Sequence, residues 1–164
     1  MQLRLVLPPL GSALRNRRRI AGALILAGGG AELAGATPPP QDVSVLVTGL
    51  RSNRGQVMAC LTADAARFPD CGKDPAAAKL AVPVRAGGSL MLDFGAVPPG
   101  HYAVSIFHDE NGNGKLDKML MLPSEGFGFS RDAPVRMGPP KFDAAAFDVT
   151  TQDVRQTIRM RYML

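Results

Sequence analysis

After residue 42 the chain alternates apolar and polar side chains in short runs, which are separated by Gly, Pro, Asn and Asp. An apolar residue at every second position is typical of a β-strand with one buried face. No run keeps a helical period beyond a turn or two, so we predict an all-β chain that forms an antiparallel, Greek-key β-sandwich. The alternation predicts about seven strands, at residues 43–47, 57–61, 80–84, 90–94, 102–107, 147–149 and 154–162.

Three segments carry further information about this sandwich. Residues 102–107 are apolar on both faces, which indicates a central strand, whereas Pro83 places the third strand at a sheet edge. Residues 126–143 are rich in Gly and Pro and are predicted to form a long ordered loop. Phe127 and Phe129 lie in that loop between glycines. They are candidates for stacking on a sugar or a partner, and the alternative is that they plug the open end of the sandwich.

The first 36 residues have the three-part pattern of a secretory signal peptide. Arginines between 15 and 19 precede an apolar run at 20–26, and small residues follow at Ala34-Gly35-Ala36. The pattern predicts cleavage after Ala36 and favours general export over the twin-arginine route. The apolar run is shorter than the roughly 20 residues of a membrane span, so an uncleaved anchor is the less favoured alternative. We therefore predict a periplasmic or secreted protein.

Removal of this leader changes the meaning of the charge. The whole chain has a net charge of +5, but the leader holds five arginines and one glutamate. The remaining 128 residues carry 14 basic and 13 acidic side chains, which does not favour nucleic acid as a partner. We predict a Pro-rich linker at 37–42 and one sandwich domain at 43–164, with no membrane span after cleavage.

Cys60 and Cys71 are the two cysteines of the chain. Because an exported chain meets an oxidising compartment, we predict a disulfide between them. A redox or metal-binding thiol pair is the alternative, but the spacing is far from Cys-x-x-Cys.

The segment 109–117 places oxygen-bearing side chains at alternate positions, followed by a glycine and a further carboxylate. This is the spacing of a loop that wraps calcium, in which Gly114 takes the sharp turn at position six. The predicted ligands at positions one, three, five, seven and nine are Asp109, Asn111, Asn113, the Lys115 carbonyl and Asp117.

Position twelve of this loop departs from the calcium pattern. It is Leu120, where a bidentate glutamate normally stands, and Glu125 is the nearest acid able to fold back. Two neutral ligands and the missing glutamate predict weak, structural calcium binding, with a dissociation constant of roughly 10⁻⁴–10⁻³ M. The alternative is a metal-free polar turn, because Asn and Gly tolerate positive φ and Asx side chains cap their own turns.

The remaining residues offer no catalytic constellation. His101 and His108 are seven residues apart on one strand, so a regular pleat points them to opposite faces and away from any shared site. No serine lies in a Gly-x-Ser-x-Gly elbow, and phosphate-binding glycine motifs are absent from the sequence.

Three linked motifs resemble a known family. The element from Gly95 to Val104, with Val97-Pro98-x-Gly100-x-Tyr102, is similar to that of transthyretin-like and carboxypeptidase-regulatory-like sandwiches. Together with residues 108–117 and 123–130 it resembles the bacterial domain-of-unknown-function family 2141, over roughly residues 43–163. The resemblance implies an exported transthyretin-like or immunoglobulin-like sandwich and no established activity. Hydroxyisourate hydrolases are also transthyretin-like, but they end in Tyr-Arg-Gly-Ser, whereas the sequence here ends in Arg161-Tyr162-Met163-Leu164. We therefore do not predict that activity.

These observations favour a non-enzymatic exported module that binds or scaffolds in the cell envelope, with an envelope protein or glycan as its partner. One alternative is a periplasmic hydrolase with the acidic loop as its metal site, which would need an open coordination position and a general base such as Glu110 or Glu125. The other is a carbohydrate- or peptide-binding domain that uses Phe127 and Phe129.

Overall fold

The computed structural model describes residues 37–85, 88–120 and 122–164. The predicted leader at 1–36 lies outside these residues. The described part of the chain is all-β and holds ten strands, one 3-10 turn at Ser130–Asp132 and one short helix at Phe142–Ala145. The strands are β1 Gln41–Leu50, β2 Gln56–Thr62, β3 Ala78–Pro83, β4 Gly88–Val97, β5 Gly100–Asp109, β6 Lys118–Met119, β7 Leu122–Pro123, β8 Gly126–Phe129, β9 Phe147–Val149 and β10 Val154–Arg159.

The strands form two main sheets. One has three strands in the order β10-β1-β4, and the other has the order β3-β2-β5-β8 with β9 also paired to β5. β5 therefore pairs with three strands, which confirms that it is central, and β3 lies at an edge as Pro83 predicted. The pairings are antiparallel except that β1 and β10 run parallel. β6 and β7 form a separate hairpin.

The main hydrophobic core lies between the two sheets, as the alternation predicts. Inward side chains come from both sheets, and in β1, β2 and the middle of β5 they stand at every second residue. The three-stranded sheet supplies Val43, Val45, Val47, Leu92 and Ile158, and the other sheet supplies Val57, Ala59, Leu61, Val104 and Ile106.

A second core covers the outer face of the larger sheet, and it corrects the prediction of a long loop at 126–143. Residues 126–129 form strand β8, and the 3-10 turn and helix that follow pack back on the sheet. Ser130 joins the layers, because its buried hydroxyl accepts a hydrogen bond from the Val104 N–H at 2.9 Å and donates to the Ala145 carbonyl at 2.5 Å. The glycines made this segment resemble a loop, although the Gly-Phe alternation has a strand period.

β8 needs glycine on its inner face. A Cβ at Gly126 would come within 2.4 Å of the Tyr162 ring, and one at Gly128 within 2.6 Å of Ile158. The close approach of the C-terminal segment therefore requires the absence of side chains at both positions.

The disulfide predicted from the sequence is present. Cys60 of β2 is bonded to Cys71, which is buried, and the Cα atoms of the two residues are 6.3 Å apart. The bond ties the connection between β2 and β3, residues 63–77, to the larger sheet.

Candidate functional site

The candidate metal loop begins where β5 ends. Asp109 is the last residue of β5, and the β6–β7 hairpin and β8 follow the loop. Because β8 returns alongside β5, with His108 opposite Gly126, the chain brings Glu125 back to the start of the loop. The loop is therefore held at both ends by one sheet.

The Asp109 carboxylate is fully buried and accepts four hydrogen bonds. Its Oδ1 accepts from the backbone N–H groups of Gly112 (2.8 Å) and Asn113 (3.0 Å). Its Oδ2 accepts from Gly114 N–H (2.8 Å) and Gln56 Nε2 (3.0 Å). Burial acts to raise the pKa of Asp109, but the bonds from Gln56 and the three backbone groups outweigh it and hold the pKa below its usual value.

The side chains at positions three, five and nine meet one another. The Nδ2 groups of Asn111 and Asn113 donate to the Asp117 carboxylate at 2.7 Å and 3.0 Å. The Oδ1 atoms of the two asparagines accept backbone N–H groups, from Asn113 and Lys115 respectively. Three predicted ligands are thus brought together, and the Asp117 carboxylate accepts hydrogen bonds from two amide groups.

Glu125 folds back to the loop, as the calcium hypothesis requires, and contacts its backbone. The side chain is buried; Oε1 accepts from the Glu110 N–H at 2.9 Å and Oε2 from the Asp117 N–H at 3.1 Å. Glu125 therefore clamps the two ends of the loop. Within the described residues, no three His, Cys, Asp or Glu side chains meet as a group that could hold a metal.

Arg51 lies at the centre of a second polar group beside the loop. Its guanidinium forms an ion pair with Glu110, donates to the carbonyls of Ser124 and Leu164, and lies 4.4 Å above the Tyr162 ring centroid. The Arg51 hydrogen bond is the main reason that the pKa of Glu110 is lowered. The contact joins the turn after β1, the loop after β5 and the C-terminal segment.

His108 occupies the buried side of the same group. Its Nε2 lies 2.8 Å from the Arg54 carbonyl, which can only accept, so this nitrogen carries a proton. In the neutral ring Nδ1 then accepts from the Tyr162 hydroxyl at 2.8 Å, and that hydroxyl in turn accepts the Arg51 N–H at 3.2 Å. Burial and the nearby Glu110 charge raise the pKa of Tyr162.

The sequence separates the two histidines but does not reveal this network. His108 is fully buried, whereas His101 is exposed and lies 2.7 Å from Asp148 on the other face. The signal that was available is the alternation itself, because His108 continues the inward series of Val104 and Ile106.

The two candidate aromatic ligands are buried. Phe127 and Phe129 are 5% and 6% exposed and belong to the second core, together with Phe142. A stacking role needs exposed rings, so the structure removes the main support for the sugar- or peptide-binding hypothesis. They also cover the outer face of a sheet, and not the open end of the sandwich.

A small cavity of about 230 Å³ lies at the other end of the sandwich. Its lining includes Leu61, Phe94 and Tyr102. Tyr102 is near the start of β5 and Asp109 is its last residue, so this cavity and the loop occupy opposite ends of that strand. No helix in the described residues is long and apolar enough to cross a membrane.

A protein-family model described as "Uncharacterized protein conserved in bacteria (DUF2141)" matches residues 45–157. The chain belongs to this family. The match confirms the resemblance given by the three sequence motifs, and it includes the whole candidate loop. Searches of curated proteins and of solved structures found no match. Because the DUF2141 description names no activity, any function must be argued from the loop and its surroundings.

Proposed function

We propose that this DUF2141 chain is an exported, non-enzymatic module that binds or scaffolds in the cell envelope, and that its acidic loop holds a structural calcium ion. The observation that supports this proposal most is that the buried polar groups form their hydrogen bonds with other groups of the protein. Asp109 accepts four bonds, Glu125 two, and His108 uses both ring nitrogens.

Such saturation favours rigidity over catalysis. A general base must have a lone pair directed at a substrate proton, and a metal-bound nucleophile needs an open coordination position. Ser130, the buried hydroxyl of the second core, is likewise engaged with Val104 and Ala145. We infer that these groups hold loops and layers in place.

The location is tested by fractionation and intact mass. Cells expressing the full chain with a C-terminal tag are separated into cytoplasmic and exported fractions. We expect the exported fraction to contain a species that lacks residues 1–36 and has no free thiol, because Cys60 and Cys71 are oxidised. A full-length protein with reduced thiols in the cytoplasm would contradict the proposal.

The calcium proposal is supported by the convergence of Asn111, Asn113 and Asp117. The Asp117 carboxylate accepts hydrogen bonds from two amide groups, and each amide carries an oxygen that a half-turn of the side chain would direct towards an ion. Calcium prefers carboxylate and amide oxygens, and Glu125 already holds the loop closed.

Calcium binding by this route is weak. Rotation of the two amides gives up the backbone bonds that Asn111 and Asn113 now accept, at 3.0 Å and 2.8 Å. The four donors on Asp109 further limit its use as a ligand. We therefore expect a dissociation constant of roughly 10⁻⁴–10⁻³ M, which suits an extracellular module.

Calorimetry with calcium tests this site. We expect saturable heat with the wild type and none with Asp117→Asn, which removes the charge while keeping the size. Asp93→Asn is the matched control, because Asp93 is exposed and its carboxylate also accepts a backbone N–H, that of Gly95 within β4, at 2.8 Å. Equal heats from both variants, or no heat with the wild type, would contradict the calcium proposal and leave the metal-free turn.

A further inference from the structure

The β6–β7 hairpin carries large apolar side chains at an exposed tip. Met119, Leu120 and Leu122 are 60%, 91% and 47% exposed. With Met121 they form four consecutive apolar residues in the sequence. The other exposed large apolar residues of the described chain are Met91 and Met137, which stand alone in the sequence, and the C-terminal pair Met163 and Leu164. Three exposed apolar side chains close together cost solubility, so their presence calls for a contact.

The hairpin does not follow the pattern of a strand that covers a core. Side chains alternate between the two faces of a hairpin, so a partner on one side would need apolar residues only at every second position. Met119 and Leu122 are paired across the hairpin, and Leu120 between them is also exposed and apolar. Exposed apolar residues on more than one side of the tip fit an apolar environment that surrounds the tip. A groove in a protein would contact only one face of the hairpin.

The backbone at the tip is unusual as well. Leu120 has φ +49°, a left-handed conformation that Asn and Gly adopt easily and that a branched side chain rarely adopts. Leu120 is therefore an unusual residue at this turn position, and its side chain is 91% exposed.

Charge on the hairpin favours an anionic surface. Lys115 and Lys118 are exposed on the loop and on the first residue of the hairpin. Of the acids near them, Asp109 and Glu125 are buried, Glu110 is paired with Arg51, and the half-buried Asp117 accepts hydrogen bonds from two asparagine amides. The lysines are thus the exposed charged side chains of the loop and the hairpin.

We propose that the β6–β7 hairpin inserts its apolar tip into the surface of a lipid bilayer, with Lys115 and Lys118 contacting anionic headgroups. Apolar residues at a tip and lysines at its base match the order of acyl chains and headgroups in a bilayer. The inference deepens the proposed envelope role by naming its partner, and it rests on the export that this role assumes.

Tryptophan fluorescence tests the insertion directly, because the chain has no tryptophan. Leu120→Trp is introduced into the full chain and mixed with vesicles of three parts phosphatidylcholine and one part phosphatidylglycerol. We expect a blue-shifted emission and quenching by lipids brominated on the acyl chains. Changing Lys115 and Lys118 to Gln should weaken the apparent vesicle affinity by about fivefold for each lysine removed.

Met137→Trp is the matched control. Met137 is fully exposed and follows Arg136, but it lies in the segment between the 3-10 turn and the helix, outside the β6–β7 hairpin. Its emission should not change, so binding through the leader alone is distinguished from insertion of the tip. Met119→Trp repeats the measurement at a second position with ordinary backbone geometry, and circular dichroism checks that each variant is folded.

Three results would overturn the proposal. One is an unchanged Leu120→Trp and Met119→Trp emission at saturating anionic vesicles and low salt. The second is equal quenching of Met137→Trp. The third is a blue shift that appears with rising protein concentration without lipid, which assigns the tip to a contact between copies. Vesicle binding does not require export, so its failure is distinct from a cytoplasmic result in the fractionation experiment.

Discussion

Replacing Asp109 with Asn should destabilise the protein far more than a surface substitution. The asparagine Oδ1 still accepts the N–H groups of Gly112 and Asn113, while Gln56 can rotate its amide to accept from the new Nδ2. The Gly114 N–H then faces a donor and loses its 2.8 Å bond.

The magnitude follows from these contacts. The lost bond to a charged acceptor costs roughly 1.5–3 kcal/mol, and the two bonds kept at Oδ1 weaken by about 1 kcal/mol each when the charge is removed. Because water reaches the exposed Gly112 and Gly114, we expect about 3 kcal/mol in total. For a domain of this size that corresponds to a fall of roughly 10 °C in Tm.

The assay is urea denaturation followed by far-UV circular dichroism, with EDTA present so that metal binding does not contribute. Asp93→Asn is the control and should lose about 0.5 kcal/mol or less, because Asp93 is exposed and accepts a single backbone hydrogen bond. If Asp109→Asn unfolds within about 1 kcal/mol of the wild type, the self-capped loop does not stabilise the fold and the reasoning is refuted.

Three further predictions test other parts of the account. Replacing Cys60 and Cys71 with Ser should lower the free energy of unfolding, measured by urea denaturation, by about 2–3 kcal/mol. Dithiothreitol should lower the unfolding free energy of the wild type by the same amount, and if it does not, the disulfide is not what stabilises the loop. Because Arg51 lowers the pKa of Glu110, their ion pair stabilises the fold above about pH 4.3 and this stabilisation is lost as the pH falls through the folded pKa. Glu110→Gln should therefore reduce the acid-induced loss of unfolding free energy by at most about 1 kcal/mol. An unaltered dependence of the unfolding free energy on pH would argue against the pair. Gly126→Ala should cost about 1–3 kcal/mol, since its Cβ would come within 2.4 Å of the C-terminal tyrosine ring, and an unchanged Tm would show that the ring moves freely.

The alternation of apolar and polar residues predicts a strand from its own sequence, without knowledge of the strand that pairs with it. The inward valines of β1 and the apolar faces of β2 and β5 follow from a period of two, and all are buried. Pro83 gave the edge position of β3 because it cannot donate to a ladder. The parallel pairing of β1 with β10 has no local signal, since it joins segments more than 100 residues apart.

The sequence predicted the donor spacing of the loop but not the use of the donors. The alternation of Asp109, Asn111 and Asn113 is shared by calcium loops and by self-capped turns, and only three-dimensional contacts distinguish them. The sequence offers Glu125 as the acid that could fold back to the loop, and in the structure its carboxylate accepts hydrogen bonds from two backbone N–H groups of the loop. The Arg51, His108 and Tyr162 network depends on three distant segments, so it had no counterpart in the sequence patterns.

A calcium titration followed by NMR tests the central proposal most directly. In ¹H–¹⁵N spectra, the side-chain amides of Asn111 and Asn113 and the backbone N–H groups of Gly112 and Gly114 report on the loop. We predict saturable shifts of these signals at roughly millimolar calcium, with smaller shifts for magnesium and none in Asp117→Asn. Unchanged loop signals throughout the titration would contradict the calcium proposal and would identify the segment as a metal-free turn.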